Sequence, residues 1–361
     1  MNFSANVSSN PDNLFQTDRD LAIREYKELK MKNTIGSPID VKSKILCLAK
    51  FDDDHLIIGQ ASHVARKVNI KTGKTVKIYA GHTGPVTSVA LVYDHESVLR
   101  LATGSWDKTI KLWDLESKEC IRTLHGHSDY VKSIVFHPKG YLFTGSSDAT
   151  IRKWSLVDYS CTKLMKGHNR GIEDMGLTLD GEYLISVSSD IKIKKWDVES
   201  GVEVQEFNGH LTSVYGLSIT EDDIWSVSGD KTARRWSLET GKQDTVLEHP
   251  DFVKCVTVVE PYLITGCRDE NVRVYDIGSG KCLKTMEGHF DEVTGLAVMG
   301  TFLYSGSLDG TIRKWSITTK SLAEPAEKLN LEPPKVNNNS SGLTEEEERE
   351  LAELMSDDDE L

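Results

Sequence analysis

An all-β fold assembled from one repeated unit is what this sequence predicts, and three observations predict it. A frame recurs six times: a Ser or Thr, an Asp four residues later, and an aromatic residue six beyond that. The trios are Thr103, Asp107, Trp113; Thr144, Asp148, Trp154; Ser186, Asp190, Trp196; Ser226, Asp230, Trp236; Thr265, Asp269, Tyr275; and Ser305, Asp309, Trp315. A histidine precedes each Asp by twenty to twenty-five residues, at His82, His127, His168, His210, His249 and His289, spaced 45, 41, 42, 39 and 40 apart. Strand patterns begin near Val86, Val131, Ile172, Val214, Val253 and Val293, with Gly140, Gly181 and Gly300 where hairpin turns are needed.

These residue types ask to be joined. A buried indole N–H needs an acceptor, a hydroxyl can accept from it and donate onward, and imidazole can link that hydroxyl to a carboxylate. A half-made set would leave a buried charge at a cost on the order of several kcal/mol, so each set is expected complete or absent. Tyr275 keeps a donor in place of Trp but changes its reach.

A period near 40 with Gly-His at the front and Trp-Asp at the back resembles the WD40 repeat, in which each unit is a four-stranded propeller blade. The resemblance covers residues 25–318. Residues 43–70 read as a first, degenerate unit with strands at 45–49, 55–59 and 63–70, and with Ile58, Ser62 and Val68 where the others carry polar residues. Added to the six, it implies an all-β, seven-bladed WD40 β-propeller.

The flanks read differently. Residues 1–24 are expected disordered or briefly helical, with a helix from Thr17 to about Tyr26. Leu29 and Met31 alternate with Lys30 and Lys32, which suits an outer strand within 25–36 that closes the ring on the last blade. Helix and strand compete for residues 25–28. Pro325, Pro333 and Pro334 mark residues 319–343 as a flexible linker. Residues 344–361 form an acidic tail, with a capping box at Thr344–Glu347 and Leu351, Leu354 and Met355 at helical spacing.

Composition narrows the function. At 361 residues, 38% apolar and 27% charged, the chain suits one globular domain with tails. No apolar run approaches the ~18 residues of a membrane span, and Asp12, Asp18 and Asp20 argue against a leader peptide. Net charge is −13, of which residues 345–360 hold −9 through ten acids and one Arg. Without a basic excess, nucleic-acid and membrane-surface binding are not expected. Cys47, Cys120, Cys161, Cys255, Cys267 and Cys282 show no metal-type spacing and read as reduced thiols in cytoplasm or nucleus.

His–Asp pairs could serve acid/base catalysis, but catalytic pairs are unique in a chain and these are repeated, which favours buried ties. His55, His63, His95, His125 and His137 share no metal spacing, and no phosphate loop or nucleophile motif occurs. No catalytic residue, cofactor or metal is therefore expected. The reading is a non-enzymatic scaffold or adaptor, a monomeric propeller within a complex of proteins. A ubiquitin-binding or ubiquitin-ligase substrate-adaptor subunit is the first alternative, and a propeller enzyme with a site at the channel mouth the lesser one.

The WD40 resemblance also implies where partners bind. The top face is lined by the residue before each repeated Asp and by the third and fifth residues after each His. Here those positions include Trp106, Arg268 and Leu308; Tyr130 and Phe252; and Lys132, Tyr215 and Lys254. Aromatics and Arg are the types that anchor interfaces. The Arg that cullin-4 receptor propellers carry two residues after Trp-Asp is absent at Glu116, Glu199 and Gly278. The tail resembles a ubiquitin-interacting helix through Glu345–Glu348, Ala352 and Ser356, departs from it at Arg349, and reads first as a solvated acidic segment. Ser356, followed by four acids, also looks like an acidophilic-kinase site. A ubiquitin-binding tail would shift ubiquitin NMR resonances when added as a peptide; no perturbation at millimolar concentration would remove that reading.

Overall fold

The computed structural model describes residues 18–94, 96–325 and 327. Among these residues twenty-eight strands form seven four-stranded antiparallel sheets, the blades of a seven-bladed propeller. In blade 2 the strands, from the channel outward, are Val86–Tyr93, Leu99–Ser105, Ile110–Asp114 and Cys120–Leu124. Blade 1 is complete, with strands Ile45–Lys50, His55–Gln60, Val64–Asn69 and Thr75–Ala80. The turn glycines Gly140, Gly181 and Gly300 have φ of 84°, 72° and 59°, a region closed to most side chains.

Each second strand is buried on both faces because blades pack against it from either side. In blade 3 this strand reads Leu142, Phe143, Thr144, Gly145, Ser146 without an exposed residue. Seven apolar clusters result, one per seam. Ile110, Leu112 and Leu124 of blade 2 meet Val131, Ile134, Leu142 and Trp154 of blade 3. Blade 1, lacking the polar set, closes against blade 7 through Ile45, Leu56, Ile58 and Val68 packed on Ala297, Met299, Tyr304 and Ile312. Each of the larger aliphatic side chains contributes about 1.5–3 kcal/mol by burial. Packing is close enough at Gly104 that an added Cβ would meet Ser88 Oγ at 2.5 Å and Val131 Cγ1 at 2.6 Å.

Every innermost strand carries a bulge at its second residue. A bulge re-aims a side chain, and here it turns Leu46, Thr87, Lys132, Glu173, Tyr215, Lys254 and Thr294 toward the central channel, where all seven line one cavity.

Two expectations are corrected. The closing strand expected within 25–36 is instead the end of a helix, Asp18–Met31, and the ring is closed by Ile39–Asp40, which pair with Ile312 and Thr311 of blade 7. Two alternating apolar residues are too short a pattern to hold a strand; Arg24 and Glu28 pair at 3.3 Å along the helix, and Leu29 and Met31 stay exposed. The strand forms after the turn at Gly36 and Ser37, where φ is positive. The linker expected from residue 319 begins instead with a short helix, Thr319–Ala323, capped by Thr318 and anchored by buried Leu322 against Trp315 and Ile317. Residues 1–17, 328–343 and the acidic tail with its capping box lie outside the described residues.

The closure is fixed by polar contacts as well. Asn33 Nδ2 donates to the Gly288 carbonyl at 2.8 Å, and its Oδ1 accepts from the fully buried Arg313 at 2.8 Å. Asn33→Ala is expected to lower stability by about 2 kcal/mol in urea unfolding, because it removes the bond to Gly288 and one of the two acceptors of the buried Arg313, the Ile35 carbonyl being the other; Leu29→Ala, on an exposed position, is expected to stay within about 0.5 kcal/mol.

Candidate protein-interaction face

Five latches share one geometry. In blade 2 the Trp113 indole N–H donates to Thr103 Oγ1 at 2.8 Å, that hydroxyl meets His82 Nε2 at 2.7 Å, and His82 Nδ1 meets Asp107 at 2.7 Å. An indole only donates and a carboxylate only accepts, so the Thr103 proton goes to Nε2 and His82 carries its own on Nδ1. The same chain runs through Trp154, Thr144, His127 and Asp148; Trp196, Ser186, His168 and Asp190; Trp236, Ser226, His210 and Asp230; and Trp315, Ser305, His289 and Asp309. Each Asp also accepts the backbone N–H of the residue after its histidine, at Thr83, Ser128, Asn169, Leu211 and Phe290.

Blade 6 is wired differently. The residue after His249 is Pro250, which has no N–H to offer. Asp269 is held instead by Arg273, at 3.0 Å through Nη1, while His249 Nδ1 donates to the Leu247 carbonyl at 3.1 Å. Only the His249–Thr265 contact, at 3.0 Å, is kept. Pro250 and the Tyr275 substitution were the signals for this change, and the proline was the stronger.

Titration follows the wiring. Burial alone would push the Asp190 carboxyl up, but hydrogen bonds from His168 and the Asn169 N–H bring it down to about 2. Asp107, Asp148, Asp230 and Asp309 are likewise held below the usual carboxylate range against the effect of burial. Desolvation lowers His82, His210 and His289 despite their Asp partners. His249, with no carboxylate bonded to it, falls to about 4.

The latches set the top face, the end of the ring that carries these turns. In every blade the residue before the latch Asp position donates its N–H to the carbonyl of the residue just ahead of the inner strand. The pairs are Ala61 with Lys44, Trp106 with Pro85, Ser147 with Tyr130, Ser189 with Gly171, Gly229 with Ser213, Arg268 with Phe252 and Leu308 with Glu292. The sequence-predicted partner residues therefore fall into two tiers. Trp106, Tyr130, Phe252, Arg268 and Leu308 sit on the rim. Lys132, Tyr215 and Lys254 sit on the bulges inside the mouth.

The structure joins them in sets. The Trp106 and Tyr130 rings stack across the seam of blades 2 and 3, with centroids 4.8 Å apart and planes 15° apart, and remain 44% and 39% exposed. Arg268 lies over Phe252 at 5.1 Å, and Lys254 over Tyr215 at 3.7 Å. Lys132 pairs with Glu173 at 2.6 Å, and Lys254 with Glu292 at 3.2 Å. Trp106 and Leu308 reach the cavity of about 500 Å³ that the bulge residues line. Sequence reasoning did not single out Asp174, on the wall of this cavity. It accepts from Ser133 Oγ of blade 3 and the Leu217 N–H of blade 5, tying three blades. Desolvation, opposed by those bonds and aided by neighbouring Glu173, pushes its carboxyl up to about 6.

Among the described residues no cluster of His, Cys, Asp and Glu could hold a metal ion, all six cysteines are free, and no helix is long and apolar enough to cross a membrane. His95 and Ser356 lie outside the described residues.

The fold and these latches define a β-propeller whose blades are tied by a repeated indole–hydroxyl–imidazole–carboxylate chain. The WD domain, G-beta repeat family matches residues 73–114, 118–155, 159–197, 201–237, 241–276 and 280–316, and the chain belongs to the WD40 family. It is 34% identical to an uncharacterized WD repeat-containing protein of Schizosaccharomyces pombe, over 97% of this chain and 100% of that protein. It is also 31% identical to the nuclear distribution protein PAC1 of Coccidioides posadasii over 66% of this chain. The nuclear distribution protein nudF of Emericella nidulans is 31% identical over 66% of this chain. Those two alignments span 58% and 60% of the relatives' own lengths.

Two measurements follow. Asp148→Ala is expected to cost a few kcal/mol, roughly 2–4, in thermal or chemical unfolding, since it strips His127 and the Ser128 N–H of their acceptor. Asp174 has a folded pKa above its unfolded value of about 4, so the fold binds its proton more tightly and gains stability as pH falls. The stability of the native protein relative to Asp174→Asn is expected to rise from pH 7 to pH 5. His82, His210 and His289 act oppositely: burial lowers their folded pKa, so their contribution is complete above about 6.5 and is lost as pH falls from there through the lower folded values.

Proposed function

We propose that this chain is a non-enzymatic scaffold or adaptor that presents its top face to partner proteins within a multiprotein complex. The observation that carries this reading is the Trp106–Tyr130 stack, two large aromatics held open to solvent by backbone bonds on both turns. A folded monomer gains nothing from exposing such area, whereas interfaces draw their energy from a few aromatic and Arg anchors. The Arg268–Phe252 pair on blade 6 adds a second anchor of the same kind.

The non-enzymatic part has its own support. In five blades both ring nitrogens of the latch histidine are hydrogen-bonded within the scaffold, which leaves none free to exchange a proton with a substrate. Free cysteines at exposed positions, Cys120, Cys161 and Cys282, suit the reducing cytoplasm or nucleus.

The test is affinity purification with mass spectrometry. Replacing Trp106, Tyr130, Phe252 and Arg268 together by Ala is expected to remove the principal partners while the melting temperature changes little, each lost anchor costing about 2 kcal/mol of binding. An unchanged set of co-purifying proteins would rule this face out.

A further inference from the structure

We propose that the outer strand of blade 7 is completed by a segment of this chain's own C-terminal region, residues 328–332, which docks in an open groove beside Trp315. The groove lies on the outer wall of the ring, and the inference is independent of the top face.

The vacancy shows against the other six blades. Their outer strands run five or six residues, from Thr75–Ala80 in blade 1 to Cys282–Met286 in blade 6, whereas Ile39–Asp40 give blade 7 only two. Gly36 and Ser37 turn away, with φ of 70° and 46°, after the Gly36 carbonyl has accepted the Lys314 N–H at 2.7 Å. In blades 1–6 the residue after the latch aromatic, or after its counterpart Val68, donates its N–H to the residue just ahead of the outer strand, as Ser155 does to Ser160 and Ser237 to Lys242, both at 3.0 Å. Ser316 holds that place in blade 7. Lys314, two residues earlier, donates outward, so the Ser316 N–H points outward too, and among the described residues no backbone carbonyl accepts it there. The neighbouring indole registers the gap: Trp315 is 8% exposed, against 1–2% for Trp113, Trp154, Trp196 and Trp236.

A cavity of about 460 Å³ occupies this place, with Gly36, Met286, Trp315, Pro325 and Glu327 in its lining. An apolar side chain seated against Trp315 would leave water, and an open strand edge gains main-chain hydrogen bonds when an extended segment is added to it.

Four observations select the occupant. Glu327 lines the cavity, so residue 328 starts at the groove, and the segment that follows binds at an intramolecular effective concentration that a separate chain would have to match. The direction fits as well. Ser321 Oγ donates to the Ser316 carbonyl at 3.0 Å, which sets the short helix at the end of the third strand; a segment returning from there toward Gly36 runs antiparallel to that strand, as the outer strands of the other blades do. In the sequence Leu329 and Leu331 alternate with Lys328, Asn330 and Glu332, which puts both leucines on one face of a strand, and Pro333 and Pro334, without an N–H, end it. Charge disfavours the acidic tail itself. The groove holds Lys284 and Lys314 against Glu287, Glu324 and Glu327; residues 328–332 add one cation and one anion, whereas residues 345–360 would bring −9.

The test is hydrogen–deuterium exchange on the full chain, read by mass spectrometry of overlapping peptides. Amides of residues 329–332 are expected to exchange about tenfold or more slowly than those of residues 336–343, and the Ser316 amide is expected to be protected with them. The double variant Leu329→Asp, Leu331→Asp should remove both protections, while Leu351→Asp, Leu354→Asp in the acidic tail should leave them in place; melting curves should show both variants folded. The proposal fails if residues 329–332 exchange as fast as residues 336–343, or if the Leu329, Leu331 variant keeps its protection. Protection of Ser316 without residues 329–332 would mean another occupant, and protection that grows with protein concentration would mean a second copy of the chain; either result overturns the assignment.

Discussion

In five blades a single buried hydroxyl accepts an indole N–H and donates to an imidazole, and the rest of the molecule is arranged around that double use. The hydroxyl can do both only if the imidazole carries its proton on the far nitrogen, which commits the imidazole to a carboxylate at the top of the blade. That carboxylate gathers the loop behind the histidine and the turn that bears the Asp itself, as Asp107 does with Thr83 and Thr109. Flanking residues such as Trp106 and Tyr130 are therefore presented by segments already tied down. A rigid presentation loses little entropy on binding.

Blade 1 reaches the same shape without any of this. Its hydroxyl, imidazole and carboxylate positions are taken by Ile58, Val41 and Ser62, and two of those three join the apolar cluster at the blade 7 seam. Apolar groups carry no directional demand, so these positions need no polar partner.

The repeat was legible because six copies in register make a pattern no single copy could, and the latch chemistry was legible because indole, hydroxyl, imidazole and carboxylate can join in only one order. Ring closure was not. Residues 25–31 alternate weakly in polarity but consist of good helix formers, and local preference prevailed over a short pattern. The true closing strand is two residues long, too brief to leave a periodic mark. Blade 6 was legible only in part: Tyr275 signalled a change, but its extent depended on the missing N–H of Pro250. The two-tier placement of the face depended on the bulges, and a bulge is set by how neighbouring blades pack, beyond the reach of one strand's sequence.

Pairing Ile39 with Ile312 makes the ring's last contact one between residues at opposite ends of the propeller sequence. During synthesis, at about 5–20 residues per second, blade 1 must wait on the order of tens of seconds before blade 7 exists to receive its strand. Until then the inner strand of blade 1 has a neighbour on one side only, and the apolar row that later meets Ala297 and Met299 faces water. The blade without a polar latch is thus also the first to be made and the last to be enclosed. Apolar contacts suit that history, since they can be left open without a buried charge going unpaired and can close in a single step.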